Sequence, residues 1–115
     1  MHVDGYIGGR IMNQQKIRLK MMEIIRKRNE IENKLNANIS SIQTNQFSSV
    51  FNYVLKSLHG EYREIIERSF IYCSFKYWWN PIYSKSSFYR LREKALNSFV
   101  SLFEMIYENI ENFTY

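Results

Sequence analysis

The feature that most limits how this chain can fold is an apolar pattern in its C-terminal part. Beyond Ala95, apolar residues recur three and four positions apart without a polar interruption. They are Leu96, Phe99, Phe103, Ile106, Ile110 and Phe113, and we call them the C-terminal seam. This spacing places side chains along one side of an α-helix. The pattern therefore predicts a long helix that must bury this side against another helix.

The start of this helix is indicated by polar residues. Ser84 is a good N-cap, and Pro81 disfavours a continuous helix before it. The first turn would contain Lys85, Ser86 and Ser87 and no acid, although an acid there would offset the positive end of the helix dipole. Free N–H groups, a lysine and hydroxyls favour a phosphate site. A solvated basic face fits the same residues.

The next two turns have distinct sides. Phe88 and Ala95 lie seven positions apart, with Leu91 between them on the same side, so we expect all three in the core. Tyr89, Arg90 and Lys94 fall largely on other sides. One side of the helix is thus predicted to pack, while the other is free to bind a ligand.

The rest of the chain predicts an all-α helical bundle with long N- and C-terminal helices. We expect a flexible arm at 1–12, a basic helix at 13–36, a polar linker at 37–46 and a helix-turn-helix domain with an extended last helix at 47–115. In the basic helix, Arg28 occupies one position of an otherwise apolar seam. Its cations could contact phosphates or only keep the helix solvated.

The helix-turn-helix prediction rests on the segment from Thr44 to Ser84. Thr44 would cap a helix that His59-Gly60 ends, and a further helix would run from about Glu61 to Cys73. Ser74 would cap a brief helix ending before Pro81, followed by a tight turn. In that brief helix we expect one of Trp78 and Trp79 in the core and the other partly exposed rather than stacked on bases.

The charge is unevenly distributed. The formal charge is +5; residues 10–36 contribute +5, residues 84–94 contribute +3, and residues 95–115 contribute −3. Two basic segments beside an acidic tail suggest a polyanionic partner, and nucleic acid is commoner than membrane for a helical domain.

Other functional classes have little support. Cys73 is the single cysteine, which fits a reducing compartment such as the cytoplasm. The sequence has neither the pattern of a signal peptide nor an apolar run long enough to span a membrane, so we expect no membrane association. The two histidines and the cysteine are too scattered for zinc, and no nucleophile lies beside a base. We expect no enzyme, no metal and no cofactor.

Three stretches resemble a known family. TNQFSS at 44–49, SLHG at 57–60 and YSKSSFYRLREKAL at 83–96 resemble ArpU-like phage transcriptional regulators, which are linked to late gene expression in phages and prophages of Gram-positive hosts. Their C-terminal part is similar to the helix-turn-helix of sigma-factor region four, and Ser84, Ser87, Phe88 and Ala95 match its pattern. The resemblance implies DNA-facing positions at Lys85, Ser86, Tyr89, Arg90 and Lys94.

Two functional hypotheses follow. The first is a sequence-specific double-stranded DNA-binding regulator of transcription, in which the helix from Lys85 enters the major groove while Ser84, Ser87 and Lys94 hold phosphates. The second is a helical protein-interaction module that binds RNA polymerase or another phage protein. The C-terminal seam further predicts a homodimer, because a chain of this size that also packs residues 47–91 has little surface left to cover all six seam residues.

Overall fold

The protein, represented by a computed structural model, is helical along most of its length. The structure describes the backbone of residues 3–72 and 74–114 and the side chains of residues 14–72 and 74–109. The elements are α1 (Val3–Asn36), α2 (Ile42–Ser57), α3 (Gly60–Ile66), a π-helical turn (Glu67–Ile71) that extends α3, and α4 (Lys85–Thr114). No strand occurs within these ranges, so the all-α prediction is confirmed.

The first helix begins earlier than expected. α1 starts at Val3, so the backbone of residues 3–12 is helical where we expected a flexible arm. Each glycine costs a helix about 1 kcal/mol relative to alanine, but no proline interrupts this stretch, and each added residue gains a hydrogen bond. The helix ends at Asn36, as predicted. Asn38 takes a left-handed conformation with φ of 60°, and the N–H of Ile39 donates to the Lys34 carbonyl at 2.7 Å.

The second helix also starts before its predicted position. Ser41, rather than Thr44, is the N-cap: its hydroxyl accepts from the Thr44 N–H at 3.2 Å. The Ser41 N–H in turn donates to the Thr44 hydroxyl at 2.8 Å. This reciprocal pair is a capping box in which threonine takes the place usually held by Glu or Gln. The linker is therefore limited to residues 37–41.

The junction between α2 and α3 differs from the prediction as well. Leu58 ends α2, and His59 caps the next helix by accepting from the Glu61 N–H through Nδ1 at 3.3 Å. Gly60 is the first residue of α3 and does not take a positive φ. The His59-Gly60 pair therefore begins α3 rather than closing α2.

The brief helix predicted before Pro81 does not form. The chain makes successive turns there, each closed by a backbone hydrogen bond of 2.9–3.1 Å. The donors are the N–H groups of Trp78, Asn80 and Ile82, and the acceptors are the carbonyls of Phe75, Tyr77 and Trp79, respectively. Residues 72–84 thus separate the π turn from α4, whereas a helix-turn-helix joins its helices by three or four residues. The predicted brief helix and tight turn are therefore wrong; the turns that replace them bury both Trp78 and Trp79 in the core.

The core lies where α1, α2 and α3 meet α4. Buried side chains come from all four helices and from the loop before α4; they include Met21, Ile24, Phe47, Phe51, Ile65, Ile66, Trp79, Phe88 and Phe99. Phe51 meets Phe99 edge to face at a centroid distance of 5.1 Å, and Phe47 meets Phe103 at 5.2 Å. The helix α2 therefore covers α4 with paired aromatic rings.

The C-terminal seam is mostly covered within one chain. Leu96, Phe99 and Phe103 are buried in the core, and Ile106 is half-buried against it. The three buried side chains are therefore not available to join two copies, contrary to our expectation, because the other helices supply enough apolar surface to cover them. Ile110 and Phe113 lie outside the residues whose side chains the structure describes.

Ion pairs fix α1 beside α4. Arg18 donates to Glu93 at 2.6 Å, and Lys20 reaches Glu104 at 3.0 Å. Arg28 lies at the interrupted position of the α1 seam, where its guanidinium is 5.6 Å from the centre of the Phe51 ring. None of the described helices combines the length and the apolar character needed to cross a membrane.

Candidate nucleic-acid interface

The start of α4 agrees with the sequence prediction. The Ser84 hydroxyl accepts from the Ser87 N–H at 3.3 Å, and the Ser84 carbonyl accepts from the Phe88 N–H at 2.9 Å. The helix therefore begins at Lys85, and its first turn contains no acid. The first N–H groups of an α-helix have no acceptor within the helix, so this end is electropositive.

Basic and hydroxyl side chains follow one side of this helix outward from its start. Ser86, Arg90 and Lys94 are exposed and lie four residues apart, which keeps them on one ridge. Ser84 and Lys85 are exposed at the end of the helix, while Ser87 is half-buried. Five of the seven predicted DNA-binding residues are thus fully accessible to a ligand.

The exposed cations in the N-terminal half of α4 are not neutralised by the protein. Within the described side chains, Lys85, Arg90 and Lys94 form no ion pair and no hydrogen bond.

The basic helix α1 has both paired and unpaired cations. Its ion pairs are Arg18–Glu93, Lys20–Glu104, Arg26–Glu30 and Arg28–Glu32. Its remaining described cations, Lys16, Lys27 and Lys34, are exposed and have no ion pair. What distinguishes α4 is that its unpaired cations follow a helix start that has no acid, where the helix dipole adds to their positive potential.

Arg90 and Lys94 also face α1 across a groove. This groove has a volume of about 310 Å³ and is lined by Gln14, Ile17, Arg18, Arg90, Glu93, Lys94, Leu96 and Asn97. Three cations and one carboxylate therefore surround it. Glu93 is the single acid of this set, and it is bound to Arg18, so the groove remains positive.

Tyr89 is less accessible than the sequence suggests. Its ring is half-buried against Trp79, with centroids 5.8 Å apart, and against Phe88 at 5.5 Å. The Arg92 guanidinium lies 4.8 Å from the centre of the same ring. Tyr89 is thus clamped between the core and a cation, which leaves only part of it for a ligand.

Arg92 is a residue that the sequence reasoning missed. It is half-buried, and its Nε atom has no hydrogen-bond partner among the described residues. Burial lowers the pKa of this guanidinium, and the nearby charge of Arg18 lowers it further. The contact of Arg92 with the Tyr89 ring could have been predicted from the sequence, because residues three apart on a helix are neighbours.

The aromatic residues before α4 divide into buried and exposed sets. Trp78 and Trp79 are both only 5% exposed, so the expectation that one of them would be partly exposed is wrong. Trp79 lies flat on Phe88, and Trp78 meets the same ring edge to face. Exposed instead are Tyr72, Phe75, Tyr77 and Ile82.

Taken together, these features define an all-α protein with an electropositive helix start beside an exposed aromatic loop. No known protein family, no curated protein and no solved structure matches the chain. The resemblance to ArpU-like regulators therefore stays a prediction.

Proposed function

We propose that the protein is a double-stranded DNA-binding regulator of transcription, with the N-terminal half of α4 as its recognition helix. The supporting observation is the combination of exposed Lys85 at the acid-free helix start with a row of exposed polar and basic residues, Ser86, Arg90 and Lys94, along one ridge. An α-helix fits the major groove of B-DNA, and arginine reads guanine there through two hydrogen bonds. Arg90, exposed one turn into the helix, is the best placed residue for this contact.

The other exposed residues near the start of α4 suit phosphate contacts. Ser84, Lys85 and Ser86 surround the electropositive helix end, where backbone N–H groups also attract anions. Lys94 lies deeper along the groove between α1 and α4. The proposal needs only one chain, since Leu96, Phe99 and Phe103 of the C-terminal seam are already buried in the core.

The resemblance adds a biological setting to this proposal. Its match over the α4 start favours a role in late gene expression of a phage or prophage, in the cytoplasm of a bacterial host and in contact with its nucleoid. The recognition helix would not be held by a helix-turn-helix turn. Instead, the Trp79–Phe88 stack and the bond from Tyr83 to Glu61, at 2.8 Å, fix the start of α4 against α3.

A matched pair of variants tests this proposal. We would remove Lys85, Arg90 and Lys94 together by alanine substitution, and compare this variant with one that removes the exposed cations Lys34, Lys56 and Arg63. Both lose the same formal charge. Binding to duplex DNA, measured by fluorescence anisotropy at several salt concentrations, should fall steeply for the first variant only, with a shallower salt dependence.

Two outcomes would contradict the proposal. Equal losses in the two variants would mean that net charge alone causes binding. A wild-type protein that binds no fragment of its own phage or host genome would remove the function altogether.

A second candidate is a module that binds RNA polymerase or another phage protein. It is favoured by Leu19 and Met22, which are exposed on the outer side of α1, and by Met105 on α4. Large exposed apolar side chains often mark protein contacts. Such binding would respond little to salt, so a salt titration of complex formation separates the two candidates.

A further inference from the structure

The loop between the π turn and α4 holds two aromatic rings in water. Phe75 is 73% exposed and Tyr77 is 52% exposed, although the two tryptophans that follow them are buried. Exposing large apolar side chains forgoes the free energy that their burial would provide, so neighbouring exposed rings suggest a binding surface. We call Phe75 and Tyr77 the loop rings.

The Tyr77 ring is connected to α4 through ring contacts. Tyr77 meets the buried Trp79 edge to face, with centroids 6.0 Å apart. Trp79 in turn stacks on Phe88 at 4.6 Å and contacts Tyr89 at 5.8 Å. A continuous series of ring contacts therefore connects Tyr77 to the first turns of α4. The backbone of the loop is held by two hydrogen bonds. The Trp78 N–H donates to the Phe75 carbonyl at 3.1 Å, and the Asn80 N–H donates to the Tyr77 carbonyl at 3.0 Å.

Cations are frequent in the sequence around the loop rings, although one of them, Arg68, is paired with Glu64. Residues 68–92 contain five lysines and arginines and no aspartate or glutamate. The Lys76 ammonium lies 5.5 Å from the centre of the Tyr77 ring. Exposed rings among cations suit a ligand that has flat apolar faces and negative charge together. Nucleotides have both, because each base is joined to a phosphate.

We propose that the loop rings stack on unpaired bases next to the duplex bound by α4. This inference rests on the proposed function and specifies its ligand as DNA in which a duplex adjoins an unpaired stretch. Paired bases are already stacked on their neighbours, so rings on a protein loop gain most where bases are open. Stacking on one base is worth about 5- to 150-fold in affinity, depending on the ring and the base.

The test uses the full chain and two DNA molecules. One is a duplex selected for tight binding, and the other has the same sequence with an internal unpaired stretch beside the selected site. We expect the wild type to bind the second molecule at least about 5-fold more tightly. Phe75→Ala and Tyr77→Ala should each remove most of this preference while leaving duplex affinity unchanged. Tyr53→Ala, which removes an exposed tyrosine on α2, is the control.

Conservative variants separate stacking from general apolar contact. Tyr77→Phe should retain the preference and Tyr77→Leu should lose it, because only the former keeps a flat ring. A fluorescent adenine analogue in the unpaired stretch should be quenched by the wild type and less by Tyr77→Leu. Thermal melts show whether the Tyr77 variants remain folded although the ring contact with Trp79 is changed. The Phe75 variant provides a second, independent measurement, because Phe75 is the more exposed ring.

The possible failures can be distinguished. Equal affinity of the wild type for both DNA molecules, or an unchanged preference in folded Phe75→Ala and Tyr77→Ala variants, would overturn the stacking inference and leave duplex binding standing. Binding to single strands without binding to any duplex would instead contradict the proposed function while supporting the stacking. Loop variants that bind both DNA molecules normally but lose a protein partner would assign the loop rings to that partner, and would also overturn the inference.

Discussion

The ring of Trp79 lies flat on the ring of Phe88, with centroids 4.6 Å apart and planes 8° from parallel. Phe88 is also contacted by Trp78 and Tyr83, so its ring joins the loop before α4 to the helix itself. Stacked and edge-to-face rings add about 0.5–1.5 kcal/mol beyond the burial of their area. The Phe88 ring therefore helps to fix the orientation of the α4 start.

Replacing Phe88 by alanine should unfold or loosen the protein. The ring is buried, and truncation of a buried phenylalanine typically costs about 3–5 kcal/mol. Urea denaturation followed by tryptophan fluorescence would measure this loss, since Trp78 and Trp79 both contact the deleted ring. Phe75→Ala, at an exposed position of the same loop, should change stability by less than about 0.5 kcal/mol. Equal effects of the two substitutions would contradict this role of Phe88.

The packing of Phe88 shows what the sequence could predict. The positions of Phe88 and Ala95 indicated a buried side, and Ser84 indicated the helix start, because both signals depend on residues within two turns. The burial of both tryptophans could not be predicted in this way. Adjacent indoles on a helix point in different directions, and burying both required the chain to leave helical geometry, which depends on tertiary contacts with Phe88 and Arg68.

The candidate site was also predictable only in part. The basic and hydroxyl residues of the α4 ridge were evident from spacing. The groove that Arg90 and Lys94 share with Gln14 and Arg18 was not, because it depends on how two helices distant in sequence pack together. For the same reason the coverage of the C-terminal seam by α1 and α2 could not be read from residue counts alone.

Tyr83 should make stability depend on pH in alkaline solution. Burial and the hydrogen bond to Glu61 raise the pKa of this tyrosine from 10.0 to about 12. The folded state therefore favours the neutral phenol. Its contribution to stability is complete below about pH 10 and is lost as the pH rises toward 12.

Urea denaturation between pH 8 and 11.5 would measure this effect. Other tyrosines and lysines titrate in the same range, so the informative quantity is the difference between the wild type and Tyr83→Phe. That difference should shrink as the pH rises above 10. A constant difference would mean that the hydroxyl of Tyr83 is not bonded to Glu61.

Arg90 and Lys94 should differ in their effects on DNA binding. Arg90→Ala should cost about 1–3 kcal/mol and relax the preference at one base pair, as expected for a residue that contacts a base edge. Lys94→Ala should weaken binding to all sequences by a similar factor, since a phosphate contact contains no sequence information. Titration of both variants against single-base changes in a selected site would compare them. An unchanged preference in Arg90→Ala would remove this residue from base readout.

Removing the carboxylate of Glu93 should strengthen DNA binding. Glu93 is the single acid lining the groove, and it neutralises Arg18. Glu93→Gln would free Arg18 for a phosphate and raise affinity up to about 5-fold, the scale expected for an exposed charge pair. Glu108→Gln removes the same charge from an exposed position farther along α4. If both variants bind equally well, the groove does not contact DNA.

A charge within the C-terminal seam should unfold the protein instead of separating two copies. Phe103 is buried between α1 and α2, where its ring is 5.2 Å from Phe47 and 6.1 Å from Phe99. Phe103→Glu would delete this buried ring, which alone typically costs about 3–5 kcal/mol, and would bury a polar group in its place. The sum is a large part of the usual stability of a small domain, about 5–15 kcal/mol. Met105→Glu, at an exposed position two residues on, should stay folded. Circular dichroism and light scattering would compare them, and a folded, monomeric Phe103→Glu variant of a dimeric wild type would restore the seam as an interface between copies.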